Sequence, residues 1–487
     1  MTPTAVINVV GLTKALLGPD TPHLNALAAD GAMSPIRAIT PAVTCSAQAT
    51  FLTGLLPRDH GIVGNGWYFR DLAQVMLWKQ ANQLVQGEKV WETARRRDPS
   101  CTTAKMFWWY NMYSSAEWSV TPRPIYRADG LKVVDVYTNP SEVRDRIVAE
   151  HGTFPFFNFW GPTADIRSSQ WIADASMSVD TWFSPTLLLI YLPHLDYNLQ
   201  RLGPDDPKIR EDVRAIDAVC GKLIAHCRER GRRIIVLSEY GLVPVTGAVH
   251  INRVLREAGL LSIRDELGSD TLDAGASEAF AVADHQIAHV YVRNHARIAE
   301  VAALLRATPG IDMVLDRREQ HAFGLDHERS GELVAISARD RWFTYYFWLD
   351  DRLAPDFART VDIHRKPGYD PAELFLDPTL TLPTLRIAAT LAQKHLGFRY
   401  LMKVIPLDAS LVKGSHGRVT ESLDEGPLLI SSRRDGVRDE VVESTSVRDV
   451  MTITCSAKCG LRLAACGSCT RHDALQGKRG GETRRRK

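Results

Sequence analysis

Three short, almost wholly aliphatic runs, each stopping abruptly at polar residues, constrain the fold of this chain more than any other feature. They are Ala5 to Val10, Pro185 to Tyr191 ahead of Pro193-His194-Leu195-Asp196, and Arg233 to Leu237 ahead of Ser238-Glu239-Tyr240-Gly241. Four to eight apolar residues bounded by turn signals, without alternation, read as strands covered on both faces, which is how parallel sheets are buried. Between the last two runs, Pro207 to Glu229 carries Val213, Ile216, Val219, Leu223 and Ile224 at spacings of mostly three to four, the pattern of a helix with one apolar face. The expected fold is therefore α/β, a doubly wound and mostly parallel sheet flanked by helices, with Pro207–Glu229 joining two strands in a right-handed β-α-β unit. Ligands of such sheets sit beyond the carboxyl ends of the strands, so the polar residues just past these runs become site candidates.

At 487 residues, 45% hydrophobic and 24% charged, the chain has the composition of a globular protein, which excludes wholesale disorder and disulfide-dense miniproteins. Lys plus Arg (59) nearly cancels Asp plus Glu (57), and the net charge of +2 gives no reason to expect a nucleic acid or a membrane surface as partner. No window reaches the 18 to 20 apolar residues of a membrane span. The opening Met1-Thr2-Pro3-Thr4 lacks the basic start of a secretory signal, and a cytoplasmic location is expected.

The pattern changes between about 71 and 180, where Phe107-Trp108-Trp109-Tyr110-Asn111-Met112-Tyr113 is dense in aromatics, and a cap insertion is expected there. A second aromatic block, Trp342 to Trp348, reads as a buried strand. From 433 the composition shifts again, so the main domain is expected over 1–432 and a disordered tail over 433–487. Cys455, Cys459, Cys466 and Cys469 in that tail could form a zinc knuckle, although their spacing fits no standard four-cysteine ribbon.

The segment Pro41 to Ile62 contains Thr44, then Thr53-Gly54 nine residues on, then Pro57-x-x-His60-Gly61. This resembles the nucleophile segment of the alkaline phosphatase superfamily, in its nucleotide pyrophosphatase/phosphodiesterase branch, and Thr21-Pro22-His23-Leu24 resembles the branch's Thr-Pro-Asn-Leu. The resemblance implies that Thr44 opens a helix and attacks phosphorus, where backbone N–H groups and the helix dipole favour a phosphoryl anion. It also implies two zinc ions, held in the family by three Asp, three His and the Thr oxygen. The matching positions here are Asn8, Asp196, Gln200, Glu239, Tyr240 and His416, so one Asp has become Asn, another Glu, and two His have become Gln and Tyr. This weaker set suits a single metal, a harder ion such as Mg²⁺ or Mn²⁺, recruited ligands, or none. His364, with Asp362, is the first candidate recruit; His194, Asp284 and His285 are others, and His289 reads as a core histidine. Ser46, Gln48 and Asn65 are the candidate substrate-binding residues, and Arg365, Lys366 and Arg418 could hold phosphate.

Two functions follow from the resemblance. One is a metal-dependent phosphohydrolase or phosphodiesterase acting on a small phosphorylated substrate through Thr44. The other is a catalytically impaired protein of the same fold that binds a phosphorylated ligand. A third, weaker possibility is phosphoryl transfer within one substrate, as in the superfamily's mutases. The oligomeric state is not legible.

Overall fold

The computed structural model describes residues 1–128, 132–434, 437 and 440–452. In chain order the strands of the main sheet are β1 (Thr4–Val9), β2 (Ala32–Arg37), β3 (Thr103–Met106), β4 (Trp118–Pro122), β5 (Val136–Asn139), β6 (Leu187–Leu192) and β7 (Arg233–Leu237). A second sheet has β8 (Ala279–Asp284), β9 (Ile287–Val292), β10 (Ile311–Leu315) and β11 (Leu333–Ser337), after which β12 (Leu428–Ser431) and β13 (Val442–Glu443) return to the first. The main sheet runs in the order β13-β2-β12-β7-β1-β6-β3-β4-β5. Its centre, β7-β1-β6-β3-β4, is parallel throughout. The three aliphatic runs are its three middle strands, and their registers bring Asn8 level with Tyr191 on one side and Leu237 on the other. All residues of β1, β6 and β7 are buried, as unalternating apolar strands require.

The helix expected after the second run spans Ile209–Glu229 and buries Val213, Ile216, Val219, Leu223 and Ile224. The strands it joins, β6 and β7, are not adjacent, because β1 lies between them.

Three expectations are corrected. Residues 71–180 are not a cap: β3, β4 and β5 complete one edge of the main sheet, and the helix Ile166–Phe183 packs against β6. These strands are only four or five residues long, and the aromatic residues between them obscure their apolar pattern. The additional layer lies later, where β8-β9-β11-β10 form an antiparallel sheet with its own apolar cluster. The block Trp342–Trp348 belongs to that cluster and is fully buried, although only Arg341–Phe343 is a strand. Finally, the main unit does not stop at 432. β13 pairs with β2, and Val447, Val450 and Met451 of the helix Val447–Thr452 enter the main core. Cys455, Cys459, Cys466 and Cys469 lie outside the described residues.

Candidate active site

Past the carboxyl ends of the parallel strands lies a cavity of about 730 Å³ whose floor includes Thr44, Asp196, Tyr240, His285 and Tyr369. Thr44 is the first residue of the helix Thr44–Thr53, as expected, after Val43 in extended conformation. Asp196 sits not on a strand but in the first turn of the helix His194–Leu202. Glu239 and Tyr240 follow β7, and Gly241 closes the turn because a Cβ there would stand 1.7 Å from the Glu425 carbonyl oxygen.

Neutral donors reach both carboxyl groups, although Glu239 Oε2 has no hydrogen-bond partner among the described residues. Glu239 Oε1 accepts from the amides of Asn8 and Gln48, the latter at 2.6 Å. Asp196 accepts from Gln200 Nε2 at 2.6 Å and from the Tyr240 hydroxyl at 3.3 Å. Gln200 Oε1 in turn accepts from the Tyr369 hydroxyl at 3.0 Å. The Thr44 hydroxyl lies 3.1 Å from Tyr240 Oη. Burial raises both acids, Asp196 to about 6 and Glu239 to about 8. Burial likewise raises the Tyr240 phenol, while burial and the neighbouring His285 lower His416 well below an ordinary imidazole.

Beside this network four rings form a continuous stack. Tyr240 faces His416 at 3.6 Å and 7°, His416 meets His285 at 3.7 Å, and His285 faces Tyr369 at 3.6 Å. His285 occupies the turn between β8 and β9 with φ of 62°, a left-handed backbone of the kind that concentrates at functional sites. Its Nδ1 lies 2.8 Å from Asp284, and His416 Nδ1 donates to the Ala42 carbonyl at 2.8 Å. Tyr369 follows Gly368, where a Cβ would come 2.7 Å from Tyr345.

This donor set does not fit the two-zinc arrangement. At two family positions, Asn8 and Gln200 direct N–H groups at the carboxylates, and at a third a protonated phenol does the same. The Nε2 atoms of His285 and His416, like Glu239 Oε2 and Asn8 Oδ1, have no hydrogen-bond partner among the described residues; the two imidazoles meet at a tilt of 37°, with His416 Nε2 3.8 Å from Asp196 Oδ1. Among the described residues no group of three or more His, Cys, Asp or Glu side chains is arranged to hold a metal ion. The expected ligand set is thus brought together as a hydrogen-bonded network instead of a coordination shell.

The remaining candidates separate. His364 lies on the cavity wall, bonded to the Leu77 carbonyl and not to the carboxylates. His194 is buried 3.1 Å from Asp212, and His289 is the core histidine expected, 2.9 Å from the Val63 carbonyl. Ser46, Gln48 and Asn65 do not line the cavity. Ser46 donates to the Ile62 carbonyl, Gln48 Oε1 accepts from the Trp109 backbone at 2.7 Å, and Asn65 joins the Cys45 backbone to Asp284. Lys366 is buried in a cluster with Asp370 and Glu373 at 2.7 and 2.8 Å, and Arg418 pairs with Asp312. Arg365 is paired with Asp362 at 3.4 Å. Sequence reasoning missed Tyr369 as a site residue and the aromatic walls, Trp78, Trp109 and Trp160 among them. The Gly-Tyr-Asp at 368–370 was the available signal for Tyr369.

Comparison with known proteins agrees with this architecture. In solved structures the fold is similar to phosphonoacetate hydrolase from Sinorhizobium meliloti (TM-score 0.59, 15% identity, covering 93% of this chain and 95% of that one). It is also similar to human ectonucleotide pyrophosphatase/phosphodiesterase 5 (TM-score 0.56, 14% identity, 93% and 95%). In sequence, the chain is 26% identical over 237 residues to an uncharacterized pyrophosphatase/phosphodiesterase of Schizosaccharomyces pombe, covering 46% of this chain and 41% of that protein. It is 26% identical over 243 residues to human ectonucleotide pyrophosphatase/phosphodiesterase family member 7, covering 46% and 44%. The chain thus spans less than half the length of the curated relatives it matches. The family model for type I phosphodiesterase/nucleotide pyrophosphatase matches residues 4–370, three quarters of the chain, and the chain belongs to that family.

Proposed function

We propose that the protein hydrolyses a small phosphate ester, of the phosphodiesterase type, with Thr44 as nucleophile. The observation that carries the reading is the hydrogen-bonded line from Thr44 Oγ1 through Tyr240 Oη to Asp196 Oδ1 at the floor of the cavity, with spans of 3.1 and 3.3 Å. Asp196, raised only to about 6, is ionised at neutral pH and can accept a proton passed along this line. Thr44 Oγ then attacks phosphorus, the bond to the leaving oxygen breaks, and that oxygen takes a proton from a cavity water. The resulting hydroxide attacks the phosphothreonine. The Thr44–phosphorus bond breaks, and the proton returns from Asp196 through Tyr240.

The phosphoryl group would lie at the N-terminus of the helix Thr44–Thr53, where the dipole favours an anion. Glu239, raised to about 8, is neutral at pH 7, so it does not repel that anion. The aromatic walls favour an ester whose leaving group carries an apolar or ring-bearing body. No step is assigned to a metal, because the donor set does not fit one. The test is turnover of an aryl phosphodiester by Thr44→Ala and Tyr240→Phe. Thr44→Ala should abolish turnover with folding unchanged, and Tyr240→Phe should lower kcat by roughly 10- to 1,000-fold; wild-type rates in Thr44→Ala would refute the nucleophile.

A further inference from the structure

Beyond the main core, the helix Pro383–His395 lies with its apolar side outward. Its partly buried positions, Pro383, Ile387, Thr390 and Lys394, recur at four, three and four residues and form one stripe, so this is the side that meets the protein. Leu385, Ala388, Ala389, Leu391 and Ala392 are exposed, as is the segment that follows, with Leu396 at 74% and Phe398 at 64% exposure. Of its large aliphatic side chains only Ile387 meets the protein, and exposing both leucines is the reverse of what a helix of a soluble core does.

Charge indicates what covers this face. Between Asp377 and Asp408 the sequence has no acidic residue, while it carries Arg386, Lys394, Arg399 and Lys403. None of these four makes an ion pair among the described residues. Exposed leucine, phenylalanine and tyrosine interleaved with the exposed Arg386, Arg399 and Lys403, none of them ion-paired, is the chemistry of a surface that lies in the headgroup layer of a bilayer. The inward side of the helix is anchored beside the candidate site. Ile387 packs in a cluster with Ala372, and Leu374, in the same turn of 3₁₀ helix, packs with Tyr197 and Trp160 of the cavity wall.

We propose that the helix Pro383–His395 and the segment through Lys403 dock this protein on a membrane surface containing anionic lipid, lying in the interface without crossing it. The occupant is the lipid surface itself, and the proposal does not depend on the catalytic reading. The overall charge of +2 conceals it, because the local excess is balanced elsewhere in the chain.

The test is co-sedimentation of the full chain with vesicles of phosphatidylcholine alone and of phosphatidylcholine with 30% phosphatidylglycerol, at low and at high salt. The protein should pellet with the anionic vesicles at low salt and be released by salt. L385E/L391E and R399Q/K403Q should each retain the wild-type circular dichroism and melting temperature. The first should abolish pelleting, and the second should weaken it by about fivefold per cation removed. Wild-type protein remaining in the supernatant with anionic vesicles at low salt, or L385E/L391E pelleting like wild type, would overturn the proposal. Concentration-dependent dimerisation that L385E/L391E loses, without vesicle binding, would overturn it by assigning the face to a second copy.

Discussion

Replacing Gln48 by leucine probes the network beneath Thr44 without touching the cavity. Gln48 is 1% exposed; its amide donates to Glu239 at 2.6 Å and its carbonyl accepts from the Trp109 backbone at 2.7 Å. Leucine is close in volume but makes neither bond. The buried Trp109 N–H would be left unpaired, at about 1–3 kcal/mol, and the Glu239 carboxyl, neutral at pH 7, would lose a donor worth about 0.5–1.5 kcal/mol. After roughly 1 kcal/mol is recovered from apolar burial, the net loss is about 0.5–3.5 kcal/mol at neutral pH. With unfolding entropy near 2.1 cal/mol/K per residue, a chain of this size loses about 1 °C for each kcal/mol, so the melting temperature should fall by about 0.5–3.5 °C. The same change acts on activity. The Gln48 bond lowers the Glu239 pKa, so its loss moves that pKa above the present value of about 8. Glu239 ionisation places a negative charge beside the phosphoryl position, so the alkaline fall in kcat/KM should begin at higher pH in Gln48→Leu. Calorimetry and a pH profile of aryl phosphodiester turnover read both effects. An unchanged melting temperature with an unmoved alkaline limb would refute this account of the network.

The wild-type profile of kcat/KM should be bell-shaped, rising through about 6 as Asp196 ionises and falling through about 8 as Glu239 does; Glu239→Gln should remove the fall alone. Glu239 binds its proton more tightly folded than unfolded, so stability should decline as pH rises from about 4.5 to about 8, by up to roughly 5 kcal/mol, and Glu239→Gln should flatten that slope in urea titrations. Lys105 behaves oppositely. Burial lowers it to about 7, so the unfolded chain binds the extra proton between about 7 and 10.5 and stability should rise with pH in that window. Lys105→Met should remove this rise and stabilise the protein at pH 7 in the same titrations, and an unchanged slope would count against the buried amine. Calorimetric titration with Zn²⁺ should give no stoichiometric binding to protein truncated after residue 452, whereas Gln200→His with Tyr240→His should gain it; tight binding by the unaltered protein would contradict the donor analysis.

The strands and Thr44 were legible because their signals are local. A strand covered on both faces must be continuously apolar, and Thr44 lies within one helix and the turn after it. The positions that match the family's ligand pattern could be named individually, while their arrangement could not. Nothing near Gln200 in sequence shows that its amide turns to Asp196 or that Tyr369, 169 residues on, bonds to its other end. His285 was named only as one of several candidate recruits, since its entry depends on a hairpin turn of the second sheet meeting residues of the first. The segment 71–180 was misread because short edge strands give little periodicity between bulky aromatics. The basic apolar face at 383–403 was missed because whole-chain charge averages over it.

The four-ring stack draws on chain positions 240, 285, 369 and 416, and none of its contacts is local. Tyr240 follows β7 of the main sheet and His285 sits in the β8–β9 turn of the second, so the stack can close only after both sheets have formed and opens when either loosens. Regain of activity during refolding should therefore lag behind recovery of the main sheet, and mild denaturant should silence the site while most backbone structure remains.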